Sequence, residues 1–154
     1  MPVDQITNPT AQEGETYLSG GQVVELYQFD PAGAGTLVNG SLVALQTLTA
    51  PSLGPALIRP TTTTQGFNIL GIVVGAPTGG ITPGGIVMVC VEGFALALFG
   101  ATTTAQHLAL SSTTTAGICL DSASATLGQT IAVILEAVTI ASGTALVPVY
   151  VHKM

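Results

Sequence analysis

Charge is what this sequence has least of. Its 154 residues include eight Asp and Glu and two Lys and Arg, so only 6% are charged, where a soluble domain carries about 25%. The two fixed cations, Arg59 and Lys153, are too few for the several phosphate contacts on which nucleic-acid binding rests, or for attraction to an anionic membrane. Tryptophan is absent and tyrosine is limited to Tyr17, Tyr27 and Tyr150, a poor supply of the aromatic faces on which sugars stack. There are two cysteines, Cys90 and Cys119. They sit in the apolar contexts IVMVCVEG and AGICLD, match no zinc spacing, and read first as free buried thiols, with a single disulfide as the alternative. The opening MPVDQITNPTAQ has neither the basic region nor the apolar run of a signal peptide. The uncharged span 60–91 is interrupted by Gly and Pro (Gly66, Gly71, Gly75, Pro77, Pro83 among them), which leaves no run of about 20 apolar residues for a membrane helix. A soluble chain is therefore expected.

In place of ions the chain has Thr, Ser, Gly, Gln and Ala. Such a surface has few long side chains to immobilise and few charges to desolvate, so a neighbouring protein covers it at low cost. With a net charge of −6 there is also little electrostatic protection against self-association. The balance points to an oligomer or assembly component, and the alternative is an extracellular β protein with a Thr-rich surface.

The length suits one domain with its own core. Residues 1–21 differ from the rest. They hold three of the eight acids (Asp4, Glu13, Glu15) and two prolines and show no sustained periodicity, which predicts an extended N-terminal arm with Val3, Ile6, Tyr17 and Leu18 as apolar handles. From residue 22 to 154 short β-favouring runs alternate with turn sequences such as DPAGAG, APSLGP and GAPTGGITPGG. The predicted strands are Val23–Phe29, Ser41–Leu48, Phe67–Val74, Ile86–Val91, Phe94–Phe99, His107–Leu110, Gly117–Leu120, Thr130–Ile140 and Leu146–Val151. The fold class is all-β: a compact β-barrel or β-sandwich of short strands, β-tulip-like, with the arm appended. In the Thr130 run a helical reading competes, because Ile131, Ile134, Leu135 and Val138 fit one helix face, but its β-branched content favours a strand. The Ile86 and Thr130 runs are apolar on both sides. They are expected to give one face to the core and the other to a subunit contact. The runs Thr61–Thr64, Thr102–Thr104 and Thr113–Thr115 read as solvated β-formers at strand ends.

No motif completes a catalytic or cofactor site. LSGGQ at residues 18–22 matches the signature of ABC-type ATPases, but the phosphate-cradling GxxxxGK[ST] loop that it works against is missing. The motif reads as a flexible joint between arm and body. The glycine-rich stretches do not complete GxGxxG, and Asn39-Gly40-Ser41, formally a glycosylation sequon, is first a turn signal. His107, His152 and the scattered carboxylates form no metal-ligand cluster or nucleophile elbow, so no cofactor or metal is expected and the chain is read as a non-enzyme. Glu92 and Glu136 each interrupt an apolar run. They mark where a strand meets water, or they pair with Arg59 across a subunit boundary. With His107 these form the candidate subunit-interface set.

The stretch FNILGIVVGAPTGGITPGGIVMVCVEGFALAL, continuing through HLALSSTTTAGICL to GQTIAVILEAV and VPVYVH, resembles in cadence and composition the capsid decoration (cement) proteins of tailed bacteriophages. The likeness covers residues 41–152. It implies a homotrimer on the capsid surface, assembled in the host cytoplasm, that bridges major capsid protein subunits and stabilises the expanded shell. The arm, through Val3, Ile6, Tyr17 and Leu18, would make the capsid contact. A trimeric tail or fibre component, a carbohydrate-binding β module and a hydrolase using His107 are the alternatives.

Overall fold

The computed structural model describes residues 16–19, 21–46, 57–61, 69–111, 115–124 and 130–152. All regular elements among them are strands: β1 (Thr16–Ser19), β2 (Gln22–Phe29), β3 (Leu42–Leu45), β4 (Leu57–Pro60), β5 (Ile69–Val74), β6 (Ile86–Phe99), β7 (Leu108–Ser111), β8 (Cys119–Ser122), β9 (Thr130–Ile134) and β10 (Ala145–Val151). The protein is all-β. The strands join one sheet in the order β1-β2-β4-β3-β5-β6-β10-β9-β7-β8, with further pairings of β2 to β6 and β6 to β8. Because of those two extra pairings the ladder closes on itself twice. One circuit runs β2-β4-β3-β5-β6, the other β6-β10-β9-β7-β8, and β6 belongs to both. Most pairings are antiparallel. The exceptions are β2 with β4 and β6 with β8.

Each circuit encloses its own core. Phe29, Leu37, Val43, Ile58, Leu70, Val73, Val87 and Val89 pack together in the first. The second is larger and includes Ala97, Phe99, Ala109, Cys119, Ile131, Ile134, Val147, Val149 and Val151. Leu42, Ile72 and Cys90 also belong to this second cluster, although their chain neighbours Val43, Val73 and Val89 belong to the first. Successive side chains of a strand point to opposite faces, so β3, β5 and the first half of β6 are walls between two cores. That arrangement explains why those runs are apolar in both registers.

It also corrects an expectation. The second face of the Ile86 run is in part a second core, because Val87 and Val89 enter one core and Cys90 the other, while Ile86 at its start is exposed. Nor do 86–91 and 94–99 form two strands. They are one 14-residue strand carrying a bulge. Opposite β2, Val23 pairs with Glu92 and Val24 with Cys90, which leaves Val91 as the extra residue. The bulge shifts the alternation, bends the strand and carries it from the first circuit to the second. Gly93 makes the bend possible. Its φ is +104°, and a Cβ built there would lie 2.0 Å from the Gly21 carbonyl oxygen. At Gly71, β5 approaches β6 so closely that a Cβ would fall 2.2 Å from the Cys90 carbonyl oxygen.

Other boundaries also differ. The Thr130 strand stops at Ile134, so its helical reading fails and residues 135–144 are irregular. LSGGQ is a tight hairpin connection, with Ser19 paired to Gln22 and Gly21 at φ +80°, rather than a joint. The last part of the expected arm is therefore β1, hydrogen-bonded to β2, while residues 1–15 lie outside the described residues. Asn39-Gly40 is a turn, closed by Ser41 N–H donating to Val38 O at 3.0 Å. Thr61 and Thr103 are buried, so neither is a solvated strand-end residue. Thr103 Oγ1 donates to Glu136 O and accepts from Val138 N–H, both at 3.0 Å, and Thr102 Oγ1 accepts from Ile140 N–H at 3.0 Å. Neutral hydroxyls thus fasten the irregular 135–140 segment to the loop before β7.

Gly93→Ala should destabilise the protein by about 3 kcal/mol or more, since it combines a backbone clash with a disfavoured φ. Equilibrium denaturation measures this, and a loss under about 0.5 kcal/mol would show that the bulge is not structurally required.

Candidate interaction surface

Beyond the bulge, β6 reads FALALF and pairs along its length with β10, ALVPVYV. The register places Leu146 opposite Leu98, Pro148 opposite Leu96 and Tyr150 opposite Phe94. The intervening residues Ala95, Ala97, Phe99, Val147, Val149 and Val151 all point into the second core. The large residues of β6 and β10 must then point outward. Opposed residues in a ladder share a face, so the row continues sideways from Tyr150 to Val133 in β9 and from Val133 to Leu108 in β7. The outer face of four adjacent strands is thus apolar.

It is also exposed. Phe94 is 55% accessible, Leu96 48%, Leu135 44% and Leu146 43%, and these are four of the six large hydrophobic side chains that are exposed among the described residues. Phe94 and Tyr150 meet edge to face at 5.1 Å between centroids, their planes 88° apart, a favoured aromatic geometry. Gln22 donates its side-chain amide to Phe94 O. It lines both shallow depressions of the face. One, of about 260 Å³, is bounded by Phe94, Leu96, Leu135 and Pro148. The other, of about 230 Å³, is bounded by Leu96, Leu146, Asn39 and Val74. β6 and β10 pair over seven residues, roughly 23 Å at about 3.3 Å each, while β9 and β7 extend the face sideways at one end only, where β10 and β9 pair over three residues. The exposed large side chains make this face the candidate interaction surface.

The described residues singled out from sequence are not brought together into one site. Val3 and Ile6 are outside the described residues. Tyr17 and Leu18 are in β1, opposite Val24 and Val23. Arg59 pairs with neither Glu92 nor Glu136. Its Nε and a terminal nitrogen contact Asp30 Oδ2 at 2.6 and 2.5 Å, an ion pair within the chain. Asp30 is buried. The N–H of Ala32, which donates to it at 2.9 Å, and then the Arg59 guanidinium hold its carboxyl below the usual carboxylate range against the opposing effect of burial. Glu92, beside the bulge, and Glu136, after β9, are both exposed.

His107 Nδ1 lies 2.5 Å from Asp121 Oδ1, and Asp121 Oδ2 accepts the Thr104 N–H at 2.5 Å. This ties the turn before β7, where Gln106 adopts φ +71°, to β8. The histidine–carboxylate arrangement is half of a nucleophile-activating set. Among the described residues no three His, Cys, Asp or Glu side chains are grouped to hold a metal ion. Tyr27 donates its hydroxyl to the Glu25 carboxylate; burial first, and then this neighbour, push its pKa up. Cys90 and Cys119 are free and buried, and desolvation pushes their thiols up to about 11 and about 12.

Two outcomes follow. Neither thiol should react with a disulfide reagent at pH 8 in the native protein, because the reactive thiolate is suppressed. Both should react in denaturant, and rapid native labelling would contradict the buried placement. Asp30→Asn should cost roughly 2 kcal/mol at pH 7. Since the folded pKa is depressed, the contribution is complete above the unfolded value, near 4, and is lost as pH falls through the folded value. Denaturation midpoints of the two proteins should therefore converge below about pH 4, whereas a difference that persists to pH 2 would show that the carboxylate charge is not the cause.

No protein-family model matches this chain, and no curated protein is significantly similar to it.

Proposed function

We propose that this chain is a structural virion protein of the capsid-decoration kind, which binds the outside of a phage capsid as an oligomer and stabilises the expanded shell. The observation that carries this reading is the four-strand apolar outer face on a body with very few ions. Such a surface has little use in catalysis and suits permanent coverage by protein. The likeness in cadence between residues 41–152 and phage cement proteins supplies the capsid as the scaffold and the homotrimer as the form.

The mechanism is additive. Each contact is modest, but an oligomer that touches several major capsid protein subunits gains by multivalency, and occupancy of the expanded shell stabilises that form by mass action. The N-terminal segment is suited to the capsid contact through Val3 and Ile6, with Tyr17 and Leu18 at its root. Continued along β2, the β1 register would bring residue 13 opposite Gln28, but Leu57 of β4 already pairs there. That edge of β2 is thus taken at Gln28, and a segment of this composition is suited to adding a strand to another protein's sheet edge.

The test is co-sedimentation with expanded and with immature shells of the phage that encodes the chain. Because β1 is part of the sheet, the informative deletion stops at residue 13. The full chain should pellet with expanded shells and raise their disruption temperature, and the protein lacking residues 2–13 should remain folded and stay in the supernatant. Absence of binding by the full chain to either shell would reject the proposal, and undiminished binding by the deletion would reject the arm's part in it.

A further inference from the structure

We infer that the outer face of β6, β10, β9 and β7 is where one copy of this chain packs against another. The inference rests on the oligomeric reading above and names the surface and the occupant. A contact between copies of one chain draws both of its sides from the same sequence, whether one patch meets itself or two patches meet around a threefold axis. Ion pairs meet that condition only where both signs are present, and this chain cannot supply them: of its two fixed cations, Arg59 is committed to Asp30. Each copy also carries a net charge of −6, so an acidic patch would repel its twin. What remains is an apolar surface free of carboxylates. Phe94, Leu96, Leu98, Leu146, Pro148 and Tyr150 form such a surface, and the exposed Glu92 and Glu136 stand next to Gly93 and Leu135, at its margin.

Shape agrees with charge. A sheet that is apolar on both sides lacks a covering layer on its outer side, and apolar surface of neighbouring copies, converging on the axis of the homotrimer proposed above, is the layer that fits it. The described residues contain no helix that could cover it from within the chain. A partner that recognised this acidic protein by charge would set cations against its carboxylates, yet the face presents none within its area.

The experiment is sedimentation equilibrium on the full chain without capsids, over a concentration series. The wild type should associate. Phe94→Glu with Leu96→Glu should weaken association at least about 100-fold, since each copy would bury two unpaired charges. Circular dichroism should remain that of the wild type, because both side chains already face solvent, and the thermal transition should stay cooperative, with its midpoint falling only toward that of the dissociated chain. Ala34→Glu, exposed and off the face, should associate as the wild type does. If the double variant fails to fold, Leu146→Glu gives the same readout from the neighbouring strand. A wild-type monomer at high concentration, or a folded face variant that associates undiminished, would overturn the inference. Failure to bind shells by a protein that still associates through this face would overturn the capsid reading alone.

Discussion

The bulge at Val91–Gly93 is the constraint on which the rest of the molecule depends. Before it, the odd-numbered residues of β6 fill the first core and Cys90 the second. After it, Ala95, Ala97 and Phe99 fill the second. One inserted residue exchanges the faces, and this is possible only because Gly93 takes a positive φ with a neighbouring backbone where a side chain would be. Without that shift the large Phe94 and Leu96 would turn inward and the alanines outward. The enclosed second core and the exposed apolar face are two results of a single backbone event.

The scarcity of ions follows the same logic. A wall strand between two cores has no register free for charge, so β3, β5 and half of β6 are apolar throughout. Where polar groups are needed inside, hydroxyls and amides replace ions. Buried Thr103 ties the segment after β9, and at the surface Thr102 does the same for Ile140 while Asn39 clamps Ala76 through both backbone groups. Such neutral bonds carry no desolvation penalty of the kind a buried charge imposes. The one fixed ion pair among the described residues joins Asp30, at the end of β2, to Arg59 in β4, and so fastens the only point at which those two strands run parallel.

Much of the all-β character was legible in the sequence. Val/Ile-rich runs bounded by Gly, Pro and Asn place β2, β5 and β10 to within two residues, and Asn39-Gly40 is the turn it reads as. What was hidden depended on tertiary context. Glu92-Gly93 has the composition of a turn, so β6 was divided at the point where it is continuous. β4 is four residues long and includes Arg59 and Pro60, and it exists because β2 and β3 lie on either side. In FALALF and ALVPVYV neither register is polar, so the pattern cannot say which side faces outward. The small alanines opposite large residues were the available signal, because a crowded interior selects the small side. The ionisable residues drew attention instead, and most proved to be solvated or paired locally.

If the exposed face joins copies by apolar burial alone, association should be indifferent to screening, since salt weakens contacts between ions and leaves apolar burial intact or strengthened. The decisive measurement is the weight-average mass of the full chain between about 0.05 M and 1 M sodium chloride, a range over which the screening length shrinks severalfold. The account predicts an assembly whose mass holds steady or rises. A mass that falls toward that of the single chain as salt increases would show that ions hold the copies together and would contradict it.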